Sequence, residues 1–144
     1  ADLLAQAEHD EMAAAVLFTP SESLARRVAD ETQKHRAILP RKNIIEASLS
    51  QYGAIIITKD LDQAVELANL LAPEHLELMV ENPSFWVQRV RNAGSVFLGN
   101  FTPEALGDYT AGANHILPTE GTARFSSPLG VYDFYKRMSV LSKS

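Results

Sequence analysis

The chain contains no cysteine. A disulfide framework and a thiolate metal site are both excluded, so any metal would be held by His, Asp, Glu or amide oxygen. No apolar run approaches the roughly 20 residues needed to span a bilayer, and no signal-peptide pattern opens the sequence. Lys and Arg together number 13 against 18 Asp and Glu, and they are scattered rather than clustered. A net charge of -5 with no basic patch leaves no electrostatic footprint for nucleic acid or for an anionic membrane surface. Also missing are a Gly-x-Gly-x-x-Gly fingerprint, a Walker sequence, an internal repeat and a low-complexity tract. These absences leave a cytoplasmic protein that deals with small molecules or other protein chains.

What is present suffices for a core, since 144 residues of which 46% are apolar can bury one domain. The chain opens inside an apolar-periodic segment without an initiator Met, and is expected to be a piece of something longer. Leu3, Leu4 and Ala7 form one stripe of a helix over 2–11. Ala13 to Phe18 reads as a strand of the kind buried on both faces, which favours a parallel sheet. Ser21 or Ser23 can cap a helix running to about Arg36, and Pro40 separates it from a helix carrying Ile44, Ile45, Leu49 and Tyr52. Ala54 to Thr58 is the next strand. Asp60, with Gln63 placed for a capping box, starts a helix whose stripe is Leu61, Ala64, Val65, Ala68 and Leu71. Leu76 to Val80 and Ser95 to Leu98 are further strands, separated by a helix that opens at Asn82-Pro83 and ends at Asn92-Ala93-Gly94. Strand centres about 20 residues apart are the rhythm of a parallel α/β sheet. The fold class predicted is therefore α/β: a parallel-sheet, incomplete Rossmann-like domain of alternating strands and helices over 1–134, with 135–144 starting a C-terminal extension.

From Asn100 to Phe134 that rhythm stops. The stretch is rich in Gly, Pro, Thr, Ser and Asn, yet holds Asp108, Asn114, His115 and Arg124. A polar loop beyond the carboxyl ends of the strands is where a ligand site is looked for, and a last amphipathic piece follows around Val131 to Met138. His9 lies three residues after Gln6, so both project from one helix face and could share a hard or borderline cation, although a solvated helix end is the commoner reading of such a pair. Glu74-His75 sits where a helix stops and a strand begins, which suits proton transfer or an ordinary polar turn. Asp108, between Gly107 and Tyr109, could complete an oxygen-and-nitrogen site or simply staple a turn. His35, in a Lys-His-Arg helix end, is read as a complement to the helix dipole.

Five motifs then fall in order along the chain. They are Gln-Ala-Glu-His at 6–9, Ala-Pro-Glu-His-Leu-Glu at 72–77, Asn-Ala-Gly-Ser-Val-Phe-Leu-Gly at 92–99, Gly-Asp-Tyr-x-x-Gly-x-Asn-His-x-Leu-Pro-Thr at 107–119, and Arg-Phe-Ser-Ser-Pro-Leu-Gly-Val at 124–131. Together, and essentially end to end, they resemble the histidinol dehydrogenase family. The resemblance implies a homodimeric, zinc-containing, NAD-dependent enzyme that oxidises L-histidinol through histidinal to L-histidine, the last steps of histidine biosynthesis. It implies Gln6, His9 and Asp108 as zinc ligands, Glu74 as the group that activates water, and His75 as the proton shuttle. Gln6, His9, His75, Asp108 and His115 are implied to surround the substrate, while no NAD-contacting residue can be assigned.

The resemblance also implies missing parts: a preceding stretch with most NAD contacts and half of the α/β core, and a C-terminal tail. That tail would bring a further zinc-ligating His and an acidic substrate contact across the dimer interface. The 144 residues by themselves are accordingly expected to show little or no activity, weak zinc affinity and a tendency to self-associate. Two other readings stand beside this one. The chain could be a non-catalytic folding or binding module derived from such an enzyme, or a zinc hydrolase built on Glu74 and His75 that turns over without NAD.

Overall fold

The computed structural model describes residues 1–109, 112 and 114–143, with the backbone alone at 108 and 109. The chain divides into two compact units, Ala1–Leu71 with Gln88–Val90, and Ala72–Val87 with Arg91–Ser144.

The first unit runs α1 (Asp2–His9), β1 (Val16–Thr19), α2 (Glu22–Arg36), α3 (Lys42–Tyr52), β2 (Ala54–Ile57) and α4 (Leu61–Leu71). The α1 stripe meets α3, and Leu4, Ala7, Ala15 and Ile45 close a small core against Leu3, Leu39 and Leu49. Ser48, fully buried, donates its hydroxyl to the Ala13 carbonyl at 2.7 Å and so ties α3 to the chain that leads into β1. This core matters for function because α1 carries Gln6 and His9. β1 and β2 are parallel, from Val16 beside Ala54 to Thr19 beside Ile57, with α2 and α4 packed on them.

Of the two serines that could start α2, Ser21 is the cap, its Oγ accepting the Leu24 N–H at 3.2 Å. Asp60 accepts the Gln63 N–H at 2.8 Å, but the return arm of the capping box reaches one residue further back, from the Lys59 N–H to Gln63 Oε1 at 2.7 Å. Burial of the strands is lighter than their apolar composition predicts. Val16, Leu17 and Phe18 are half-buried, and Ile55, Ile56 and Ile57 stay exposed.

The second unit contains β3 (His75–Leu78), α5 (Pro83–Trp86), β4 (Ser95–Leu98) and α6 (Glu104–Tyr109), then 3-10 turns at Thr122–Arg124 and Val131–Phe134. β3 and β4 are again parallel, in register from His75 beside Ser95 to Leu78 beside Leu98. The α/β class with parallel strands is therefore what the sequence predicts, but among the described residues the strands form two separate two-stranded sheets. The helix expected from Asn82-Pro83 to Asn92 is a single turn followed by a 3-10 turn at Val87–Arg89. Its run of Phe85, Trp86 and Val87 is poor in helix formers, and Phe85 and Trp86 instead stack edge-to-face at 5.2 Å. The amphipathic piece at 131–138 is helical only over Val131–Phe134, and 135–143 is exposed without a regular element.

Candidate active site

The Glu74-His75 corner is built by backbone. After α4, Ala72 adopts φ 53, a left-handed conformation that is strained for a residue with a Cβ, and it does so fully buried. The chain then reverses through Pro73 into β3. The Pro73 carbonyl accepts the Gly94 N–H at 2.9 Å, and the Glu74 carbonyl accepts the Ser95 N–H at 2.8 Å. A Cβ at position 94 would stand 2.6 Å from the Glu74 oxygen and 3.2 Å from Pro118 Cδ. Glycine is what lets β4 come this close, so the position of Glu74 depends on it.

Side chains alternate along a strand, and in-register residues of a parallel pair share a face. His75 and Glu77 of β3 therefore lie on one face with Ser95 and Phe97 of β4. That face is covered by α6. Glu77 Oε1 accepts the backbone N–H of Glu104 at 3.1 Å, and a Cβ at Gly107 would stand 2.7 Å from Phe97 Cε1. The His75 ring lies 6.0 Å from that of Phe97, tilted by 45°. Its Nε2 is 3.9 Å from Glu104 Oε1, with the two side chains 12% and 27% exposed. Both ring nitrogens are shielded from solvent. An imidazole shielded from solvent with a carboxylate close by can accept a proton at one ring nitrogen and pass it on.

Loss of the Glu77 carboxylate would leave the first turn of α6 without its acceptor. Changing Glu77 to Ala is expected to cost about 1 kcal/mol of stability, the usual size of a lost helix cap. Chemical denaturation of the full-length protein checks this value, and the loss should be reproduced on changing Glu77 to Leu.

The other predicted residues fall as follows. Gln6 and His9 share a face near the end of α1, Gln6 half-buried and His9 exposed. The backbone of Asp108 lies in α6, while its side chain is outside the described residues. His115 is exposed on a segment pinned to Leu129. There the Asn114 amide donates to the Leu129 carbonyl and accepts the Ile116 N–H, and the Leu129 N–H reaches the Ile116 carbonyl at 3.0 Å. Glu74 directly precedes His75 at the start of β3, and Gln6 and His9 lie one turn apart on α1, each pair within its own unit. Among the described residues no three His, Asp or Glu side chains converge as a metal cluster. Glu104 is a further residue at this corner, 3.9 Å from His75 Nε2. Its signal was present, because Pro103 followed by Glu104-Ala105-Leu106 is a helix start.

The family model described as histidinol dehydrogenase matches residues 1–144 of this chain. The chain belongs to the histidinol dehydrogenase family. It is 54% identical over 140 residues to the histidinol dehydrogenase of Acinetobacter baylyi, which covers 97% of this chain and 33% of that protein. Identity to the histidinol dehydrogenase of Caldanaerobacter subterraneus is 56% over 141 residues, covering 98% of this chain and 33% of that one. The crystal structure of histidinol dehydrogenase from Elizabethkingia anophelis superposes with a TM-score of 0.85 at 40% identity, over 89% of this chain and 29% of that one. The chain therefore spans about a third of the length of the relatives it matches, and its Rossmann-like class agrees with theirs. No helix of the described residues is long and apolar enough to cross a membrane.

Proposed function

We propose that the protein carrying this chain oxidises L-histidinol through histidinal to L-histidine, with NAD as hydride acceptor. The observation that carries the reading is the Glu74-His75 corner: two proton-transfer groups held by backbone bonds at the start of β3, with the imidazole shielded from solvent, in a chain of this family.

Two oxidations of one carbon need two proton-handling roles. His75 accepts the hydroxyl proton at a ring nitrogen as hydride leaves the carbinol carbon, which gives the aldehyde. Glu74 takes a proton from the water that adds to the aldehyde carbon. The resulting hydrate anion then gives a second hydride to NAD, which leaves the carboxylic acid, and this ionises to the carboxylate. NAD supplies the hydride acceptor for both steps.

The donor types suit zinc. Gln6, His9 and Asp108 offer neutral oxygen, neutral imidazole and one carboxylate, a set suited to a borderline cation. Gln6, His9 and Asp108 would hold the zinc, whose Lewis-acid character would help orient the substrate, while Glu74 and His75 move its protons. His115 would contribute a further substrate contact. The remaining two thirds of the protein would supply the NAD site and complete the domain, with 135–144 opening a C-terminal extension toward the second subunit of a cytoplasmic homodimer. The 144 residues alone would then be close to inactive.

Metal analysis of the full-length protein tests the zinc set. About one zinc per subunit is expected, with most of it lost on changing His9 to Ala. Active protein without metal, or zinc retained in full after that change, overturns this part of the reading.

A further inference from the structure

The mechanism above uses Glu74 and His75 and gives Glu104 no role. Yet Glu104 presents Oε1 3.9 Å from His75 Nε2, and neither side chain is freely solvated. α6 is only six residues long, too short to hold its place by helical propensity alone. It is fixed from the sheet instead. Glu77 accepts the Glu104 N–H, Thr102 donates to the Leu98 carbonyl at 2.9 Å just before the helix, and Gly107 rests against Phe97. The anchor for Glu104 and the imidazole it faces are thus two residues apart on the same strand face of β3, so the distance between them is set by one rigid element.

From these contacts we propose that Glu104 is the positioning residue of His75, an inference that rests on the proton-shuttle role proposed for that histidine. When His75 takes the alcohol proton it becomes a cation in a place shielded from solvent. Burial opposes that charge, and a carboxylate within about 4–6 Å favours it. Glu104 draws the Nε2–H of the imidazolium toward its carboxylate and so fixes the orientation of the ring. Among the described side chains the carboxylates nearest His75 in the fold are Glu74, preceding it in the chain, Glu77 on the same strand face, and Glu104 on α6, the helix that also carries Asp108. Glu77 already accepts a backbone N–H, and Glu74 is reserved for water, so Glu104 is the one that serves the ring.

The test uses the full-length enzyme with E104Q and E104D. E104Q should lower kcat roughly 10- to 100-fold, the loss usual when a functional histidine is deprived of its carboxylate partner, with KM for histidinol little changed. The acid limb of the pH–rate profile should move to lower pH, because the imidazolium has lost its counter-charge, and E104D should recover part of both effects. NMR titration of the His75 ring, which needs no turnover, should show the same downward shift in E104Q. An unchanged His75 titration in E104Q overturns the proposal, as does a fall in kcat with the acid limb in place and no rescue by E104D. A wild-type enzyme inert toward histidinol and NAD would instead overturn the proposed function, and the NMR titration would still decide the pairing.

Discussion

Changing Glu74 to Gln in the full-length enzyme is expected to uncouple the two oxidations, sparing the first and slowing the second by about 100- to 10,000-fold, the range of a lost general base. Gln keeps the size and shape of the side chain but cannot take a proton from water. Glu74 is fixed through its own carbonyl to the Ser95 N–H at 2.8 Å, so the substitution leaves the backbone of the corner in place and removes only the carboxylate. Histidinal should accumulate, and the yield of NADH per histidinol should fall toward half. Product analysis by rapid quench reads both. Equal slowing of the two steps would assign Glu74 to the alcohol oxidation, or to both oxidations, and contradict the division of labour between it and His75.

Gly94→Ala should be the most damaging single methyl in this segment. The added Cβ would lie 2.6 Å from the Glu74 oxygen, and that contact is to backbone, not to the far end of a flexible side chain. Relief requires β3 and β4 to part where the Pro73–Gly94 and Glu74–Ser95 bonds start the ladder. Overpacking of this kind costs about 1–3 kcal/mol. Because the bonds at risk are the ones that hold Glu74, and lead directly into His75, activity should fall further than stability. Thermal melting with steady-state kinetics on the same preparation checks this: a fall in the melting temperature accompanied by a larger fall in kcat/KM is expected. An active, fully stable G94A would show that the close approach is dispensable.

Local chemistry was legible in the sequence. Ser21 caps α2, Asp60 caps α4, the stripe Leu3, Leu4 and Ala7 faces a core, and the four strands fall within a few residues of their expected places. What the sequence concealed depends on distant partners. α6 lies inside a stretch that reads as loop, since its first N–H is satisfied by Glu77, 27 residues earlier, and no local pattern encodes that bond. Periodicity gives strand spacing but not which edges pair, so one continuous rhythm of strands resolves into two separate sheets. Pro103-Glu104 marks a helix start, but the place of Glu104 beside His75 is a fold contact that no neighbour in the chain encodes.

The most direct test of the proposed reaction is the number of NADH formed for each histidinol consumed by the full-length enzyme. About two NADH, with histidine as the only product, is the expected result, because alcohol to carboxylate releases two hydrides. One NADH with free histidinal as the end product, or no NAD reduction with histidinol at all, would contradict it.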